Sequence, residues 1–421
     1  MKRTTTILLL LLSLNAFAQQ TLTLDECYSS ARRSYPSLKQ KPFNDSLSGN
    51  KLNNYDIGYL PKISFGAQAS YQSDVTKLNI NVPFIQMPDI NKDRYQLTMD
   101  VKQLIYDGGN ISSLKDIEKS SLQVDQQKIE VELYALKQRV NDLYFNVLIS
   151  KEKRKSLDIT ASDISDRIAE QESKVKGGAI AEGNVYILKA QLLQVQSQMT
   201  EADNDILSAI NSLSELTGEA IQPDADFAVP ENKNVSTGKI NYFSRPENQL
   251  YELQKNYLTS LKGNLHSSKN PKFSAFGQAG YGRPGLNMLD NTFQPYYIVG
   301  LNFSWSPIDW GSESLQSQIY DVNRSIVDIQ RETFYKNLTV TEQRYKSDIE
   351  KYSALLNKDD EILSVRQDIM KVTLSQLDNG IITATNYVTE LNNYNQAMLT
   401  KNIHRLQLIQ SKINFLTNQG Y

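Results

Sequence analysis

One cysteine, Cys27, and two histidines, His266 and His404, are all that 421 residues hold of the two most reactive side-chain types. A single thiol makes no disulfide framework. Two histidines and one cysteine are too few for a structural zinc site of four Cys and His ligands. A basic excess is missing too: 45 Lys and Arg face 47 Asp and Glu, a formal net charge of −2, whereas nucleic-acid binders are basic. The composition therefore points away from an enzyme, a cofactor, a bound metal and a nucleic-acid partner. What the chain has in quantity is Tyr, with 23 residues, beside many Asn, Gln and Ser.

Long apolar runs are also lacking. The only candidate is Ile7 to Leu12 with Leu14, preceded by Lys2 and Arg3 and followed by Asn15-Ala16-Phe17-Ala18. A transmembrane helix takes about 20 apolar residues, so this pattern reads as a secretory signal peptide over 1–18, cut between Ala18 and Gln19. Cys27 is too far past that cut for a lipid-modified N-terminus and reads as a free, inert thiol at a helix start.

The rest of the chain repeats itself. Pro61-Lys62-Ile63-Ser64-Phe65 returns 210 residues later as Pro271-Lys272-Phe273-Ser274-Ala275. Leu104-Ile105-Tyr106-Asp107-Gly108-Gly109 returns loosely 203 residues later as Pro307-Ile308-Asp309-Trp310-Gly311-Ser312. Gly178 with Asn184 returns 202 residues later as Gly380 with Asn386. Matches in one order at nearly one offset indicate an internal duplication. The expected organisation is a first repeat over 19–218, a linker over 219–245 rich in turn residues (Pro223, Pro230, Gly238), and a second repeat over 246–418. The first repeat has a strand pair at about 59–106 and a helical hairpin at about 110–217; the second has them at about 271–308 and 312–417.

Each repeat opens with helix, roughly Leu24 to Gly58 and Pro246 to Ser268, and then turns to period two. Ile63 to Tyr71, Tyr95 to Val101, Phe273 to Tyr281 (interrupted by Phe276) and Tyr297 to Trp305 alternate apolar with small or polar residues, as strands with one oily and one wet face do. An amphipathic sheet on a soluble core and a membrane sheet both fit this alternation. Aromatic residues near the strand ends (Tyr59, Tyr71, Tyr95, Tyr106, Tyr281, Tyr296, Tyr297, Trp305, Trp310) favour the membrane. There Leu97, Met99, Val101, Val299, Leu301 and Phe303 would face lipid, and Gln96, Thr98, Asp100, Asn302 and Ser304 would face water, with Asp100 and Asn302 as lumen positions.

Very long helices follow each strand pair. Ile111 to Lys176 has no Pro or Gly, and its 66 residues would run roughly 100 Å. Steps of three and four are sustained in Ile129, Leu133, Leu136, Val140, Leu143 and Val147, and again from Val185 to Leu216. They recur in Leu315, Ile319, Val322, Ile326 and Ile329, and in Ile362, Val365, Ile369 and Val372. Such spacing is that of coiled-coil seams between neighbouring helices. Four strands cannot close a barrel, and open sheet edges are not tolerated in lipid. Two chains would give a filled eight-stranded barrel and three a twelve-stranded one with a lumen; the arithmetic favours three if the strands lie in membrane.

Leu22-Thr23-Leu24-Asp25-Glu26-Cys27, the junction Gln103-Leu104-Ile105-Tyr106-Asp107-Gly108-Gly109 and the Gly-x5-Asn elements at Gly178 and Gly380 together resemble TolC-like outer-membrane efflux proteins, in order and over essentially the whole mature chain. The resemblance implies a mixed fold: per chain four membrane strands plus long coiled-coil helices. Three chains would form a twelve-stranded barrel continuous with a periplasmic α-helical barrel. It further implies a homotrimer in outer-membrane lipid that extends into the periplasm of a Gram-negative-type cell. Its partners would be a periplasmic adaptor (membrane fusion protein) and an inner-membrane transporter, and its role a passive exit duct for efflux or type I secretion. The hairpin tips at Gly178, Asn184, Gly380 and Asn386 would contact the adaptor. The family carries aspartates at the closed end where this chain has Asn386 and Thr389, so the constriction would be neutral, with Glu390 turned into the wall. The competing reading is a secreted coiled-coil scaffold or adhesin without a channel.

Overall fold

The computed structural model describes residues 21–75, 90–178, 180–232 and 242–421. The signal peptide, with Ala18 and Gln19, lies outside the described residues. Seven α-helices are described: α1 (Leu24–Ser34), α2 (Gln40–Ile57), α3 (Asn110–Lys176), α4 (Gly183–Thr217), α5 (Pro246–Asn264), α6 (Ser312–Asp378) and α7 (Ala384–Gln419). Four strands accompany them: β1 (Lys62–Tyr71), β2 (Asp93–Tyr106), β3 (Lys272–Arg283) and β4 (Gln294–Ser304). The duplication shows in the element lengths. α3 and α6 each have 67 residues, while α4 has 35 and α7 has 36.

The chain divides into two compact units. The first comprises the chain up to Gln40 together with Lys128–Asn248 and Glu332–Tyr421. Its α1 starts on a capping box, in which Thr23 accepts from the Glu26 amide and Glu26 accepts from the Thr23 amide. The helix expected to run from Leu24 to Gly58 breaks at Tyr35, because Pro36 has no amide to continue the ladder, and resumes at Gln40 after a 3-10 turn. The α3 seam of Ile129, Leu133, Leu136, Val140 and Val147 is buried with Leu24, Cys27 and Ala31 of α1 and Ile210 and Leu213 of α4. Burial pushes the Cys27 thiol up to about 12, which leaves it unreactive. The segment expected as a linker is anchored at its start: Leu22 and Phe227 form a parallel bridge, and the Phe227 ring lies 5.3 Å edge-on to Tyr144. Residues 233–241 lie outside the described residues.

The second unit holds Lys41–Gln127 and Gln249–Arg331. Its sheet has the order β1-β2-β3-β4, every neighbour antiparallel. Among the described residues β1 and β4 are edge strands, each with one side unpaired. Register decides the faces. Leu97 pairs with Ala67 and Tyr281, Met99 with Phe65 and Ala279, and Val101 with Ile63 and Gly277. Val299 pairs with Gly277, Leu301 with Ala275 and Phe303 with Phe273. The six residues expected to face lipid therefore share one face, on which Val299 is 73% and Leu301 79% exposed. A bulge at Ile105 shifts the phase of β2, so that Tyr106 joins this face opposite Phe273.

The opposite face carries Gln96, Thr98 and Asp100, with Asn302 beside Ser274. Gln278 donates to Asp100 at 2.6 Å, and Gln96 donates to the Tyr296 hydroxyl. Two aromatics depart from the sequence expectation. Tyr296 belongs to this face rather than to an interfacial belt, since it alternates with Tyr297, and Phe276 interrupts the period because it too points here. Both need glycine neighbours: a Cβ at Gly280 would sit 2.2 Å from the Tyr296 ring and one at Gly300 2.8 Å from Phe276.

This two-faced sheet generates a direct contrast. Leu301→Arg is expected to cost roughly 2–4 kcal/mol at mid-bilayer depth, whereas Asn302→Arg is tolerated. Comparing folded yield of the two variants in outer-membrane fractions measures it, and equal yields would remove the basis for a lipid-facing side.

Candidate functional site

Two places in each repeat combine conserved geometry between repeats with exposed groups: the strand-to-helix junction and the hairpin tip. At the first junction Asp107 accepts from the Gly109 amide at 3.0 Å and from the Ile111 amide at 2.6 Å, satisfying orphan donors of α3. At the second, Asp309 accepts from Gly311 at 3.2 Å and from Glu313 at 2.9 Å in the same way. Gly108 has φ +76° and a Cβ there would meet Asn270 at 2.8 Å, so glycine is required. Trp310 occupies the matching position with φ +54° and is 93% exposed, which open space permits. Lys269 bonds both Asp309 (3.2 Å) and Glu313 (2.7 Å). The backbone bond from Glu313, then the Lys269 contact, hold the Asp309 carboxyl below the usual range.

At the tips, Gly178 (φ +72°) and Gly380 (φ +71°) end α3 and α6 in the left-handed conformation. Gly380 donates to Leu377 and Ile381 to Gln376, closing the last turn of α6. Lys174 of α3 bonds Glu170 at 2.7 Å and reaches Asp378 of α6 at 3.6 Å; the Lys174 bond leads in lowering the Glu170 carboxyl. The two tip asparagines do different work. Asn184 reaches across to the other hairpin and accepts from the Ala384 amide at 3.3 Å, capping α7. Asn386 is exposed, its own amide accepted by Thr383.

Thr389 is exposed on the same side of α7 as Asn386. Glu390 is turned away, accepting from Arg366 of α6 at 2.9 Å and from Asn393 at 3.4 Å. Both histidines lie against carboxylates: His266 is 2.6 Å from Glu313, and His404 2.6 Å from Asp359. Among the described residues no group of three or more His, Cys, Asp and Glu could hold a metal, and no helix is long and apolar enough to cross a membrane.

Sequence reasoning missed the Asn184–Ala384 cap, the Arg366–Glu390 pair and the Lys269 contacts. The Asp preceding a turn and a long helix, repeated at an offset of 202, is the signal that locates the junctions.

Four strands with one oily face, joined to paired long helices in a twofold internal repeat, define a class. Residues 27–219 match the family model described as outer membrane efflux protein. The fold of the whole chain is that of solved outer-membrane channels. CusC superposes with a TM-score of 0.67 at 11% identity, covering 94% of this chain and 92% of CusC. The CmeC outer membrane channel of Campylobacter jejuni gives 0.64 at 16% identity, with 94% and 85% covered. VceC, an outer membrane protein of Vibrio cholerae, gives 0.64 at 13% identity, with 94% and 96% covered. No curated protein matches the chain by sequence. The family match thus spans the first repeat, and the likeness to solved channels extends the shared fold over the second.

The junction analysis makes a stability prediction. Asp107→Ala should cost about 1 kcal/mol and Asp107→Asn less, read as thermal denaturation of the detergent-solubilised protein. Asp309→Ala should destabilise in the same direction. Because the folded Asp309 carboxyl is depressed, its contribution is present at neutral pH and fades as pH falls through the lowered value. Wild type and Asp309→Ala should therefore converge in acid; a constant gap would assign the loss to packing.

Proposed function

We propose that three copies of this chain pool their strands into a twelve-stranded outer-membrane barrel and their helical hairpins into a periplasmic tunnel. The assembly is a passive exit duct, fed by an inner-membrane transporter through a periplasmic adaptor. The observation that carries this reading is the sheet: an apolar face exposed to the surroundings, a polar face opposite, and two unpaired edge strands. A secreted scaffold would have to keep Phe65, Val299, Leu301 and Phe303, all more than half exposed, in water. In lipid the same residues are at home, and edge-to-edge pairing of β1 with β4 of the next copy removes the edges.

Asp100 and Asn302 then line the barrel lumen, and the polar contacts of the inner face support that placement. The tips at Gly178, Asn184, Gly380 and Asn386 present the end of the tunnel to the adaptor. Residues 1–18 direct export and are removed between Ala18 and Gln19. Two measurements test the duct. Native mass spectrometry of the detergent-extracted protein should give three chains; saturation at two, or a monomer that keeps its strand signal in lipid, contradicts it.

The second measurement concerns closure. Asn386 and Thr389 form a constriction without converging carboxylates, and Arg366 neutralises Glu390 within the wall. With little field to hold a multivalent cation, single-channel conductance should resist a trivalent cation added from the periplasmic side. The double change Asn386→Asp with Thr389→Asp should create the block, and Glu390→Gln should leave the profile unchanged. Strong block of the unmodified channel that Glu390→Gln abolishes would reverse the helix phase and make Glu390 the gate.

A further inference from the structure

The four strands carry a charge imbalance that the whole chain does not. Lys62, Arg94, Lys102, Lys272 and Arg283 stand on them against two carboxylates, Asp93 and Asp100. Composition does not account for this, since the chain has a formal net charge of −2. Register sharpens the imbalance. Arg283 and Asp93 lie on the side of the apolar residues and are bonded to each other. The other four cations fall on the polar face with Asp100, which already accepts from Gln278.

The centre of this patch is a pair. Lys62 and Lys102 are direct cross-strand partners, a relation that sets Cβ atoms about 5 Å apart and in which like charges oppose sheet pairing. A wall that only had to be polar would carry neutral residues there, as it does at Ser64, Gln68 and Thr98. Lys62, Lys102 and Lys272 are all exposed, and among the described residues none has an ion-pair partner. Arg94, near the other end of β2, keeps a buried Nε without a hydrogen-bond partner. Closing a barrel would not neutralise the pair. β1 is an edge strand, and the strand that would lie beside it is β4 of the next copy, which has no charged residue to offer in any register.

We propose that Lys62 and Lys102, with Lys272 behind them, form a belt of positive charge around the helix-side end of the barrel lumen and make the duct selective for anions. This inference rests on the trimeric duct proposed above and gives its cargo a charge class, carboxylate- or phosphate-bearing. Three copies related by rotation set three lysine pairs at one height. Lys272, opposite Ser304, lies about 13 Å further along β3 from the row that joins Lys62, Lys102 and Phe276. Rings of Lys or Arg favour anions in a pore, and low-dielectric walls focus their field. Salt gives the belt a signature. The screening length falls from about 10 Å at 0.1 M to about 3 Å at 1 M, so the preference fades as salt rises.

Reversal potentials of the full-length protein in planar bilayers, under a potassium chloride gradient, test it. In dilute salt the unmodified channel should reverse on the chloride side of zero, and the potential should drift toward zero as salt on both sides is raised. Lys62→Gln/Lys102→Gln should bring it close to zero, and Lys62→Glu/Lys102→Glu should invert its sign. Inorganic tripolyphosphate should block the unmodified channel and leave the Gln variant open. In a Cys27→Ala background, Lys102→Cys should react with a charged, water-soluble thiol reagent and Val101→Cys should not, which tests the placement even if the charge-reversed variant fails to assemble. An unmodified channel that prefers cations or neither ion would overturn the belt and leave the duct standing. So would a potential or a tripolyphosphate block that the Gln changes leave unmoved, or an unreactive Lys102→Cys. A protein that forms no channel in any variant would overturn the duct itself.

Discussion

Backbone amides and carbonyls left unpaired in hydrocarbon cost several kcal/mol each, and a four-stranded sheet leaves two rows of them. β1 and β4 of this chain are those rows, and the face between them is the one with Leu97, Met99, Val101, Val299, Leu301 and Phe303. Neither water nor lipid suits the isolated sheet: water meets its apolar face, lipid meets its edges. In the proposed barrel, closure by further copies satisfies both.

Duplication explains why the chain can be so economical in chemistry. One design, a capped junction followed by a 67-residue helix and a return helix, is used twice, and the details that differ mark where the two uses differ. Asp107 and Asp309 cap alike because both must turn a strand into a helix. Gly108 is crowded by Asn270 and cannot be replaced, whereas Trp310 stands in open space with the same handed backbone and presents its indole outward. A ring that large and exposed beside Trp305 suits a membrane–water boundary, where indoles are favoured.

Much of this was legible in the sequence because period carries it. Alternation placed the two faces of the strands, and three–four spacing placed the seams of α3 and α4, whose Val140, Val147, Leu188 and Leu213 are buried. What period does not encode is who lies opposite. Phe276 looks like an error in the alternation until Gly300 is seen across the strand pair, and Tyr296 looks interfacial until Gly280 is seen beneath it. Helical phase separates Glu390 from Asn386, but its partner Arg366 sits 24 residues away on another helix, beyond any local pattern. The α6 residues Leu315, Ile319, Val322, Ile326 and Ile329 keep coiled-coil spacing, yet they are 46% to 62% exposed, because spacing encodes a seam and not its cover.

The polar face of the sheet is held in place by its own contacts. Its rings, Tyr296 and Phe276, lie over Gly280 and Gly300, so their bulk is laid along the sheet. Its one carboxylate on β2, Asp100, accepts from Gln278, which ties it to the neighbouring strand and fixes its position. At the tips the same economy holds, since Glu390 is matched by Arg366 and the exposed positions Asn386 and Thr389 carry no charge. In the proposed duct the charge of Glu390 would be balanced by Arg366. The chain's own sequence is spent on geometry: caps, seams and a two-faced sheet.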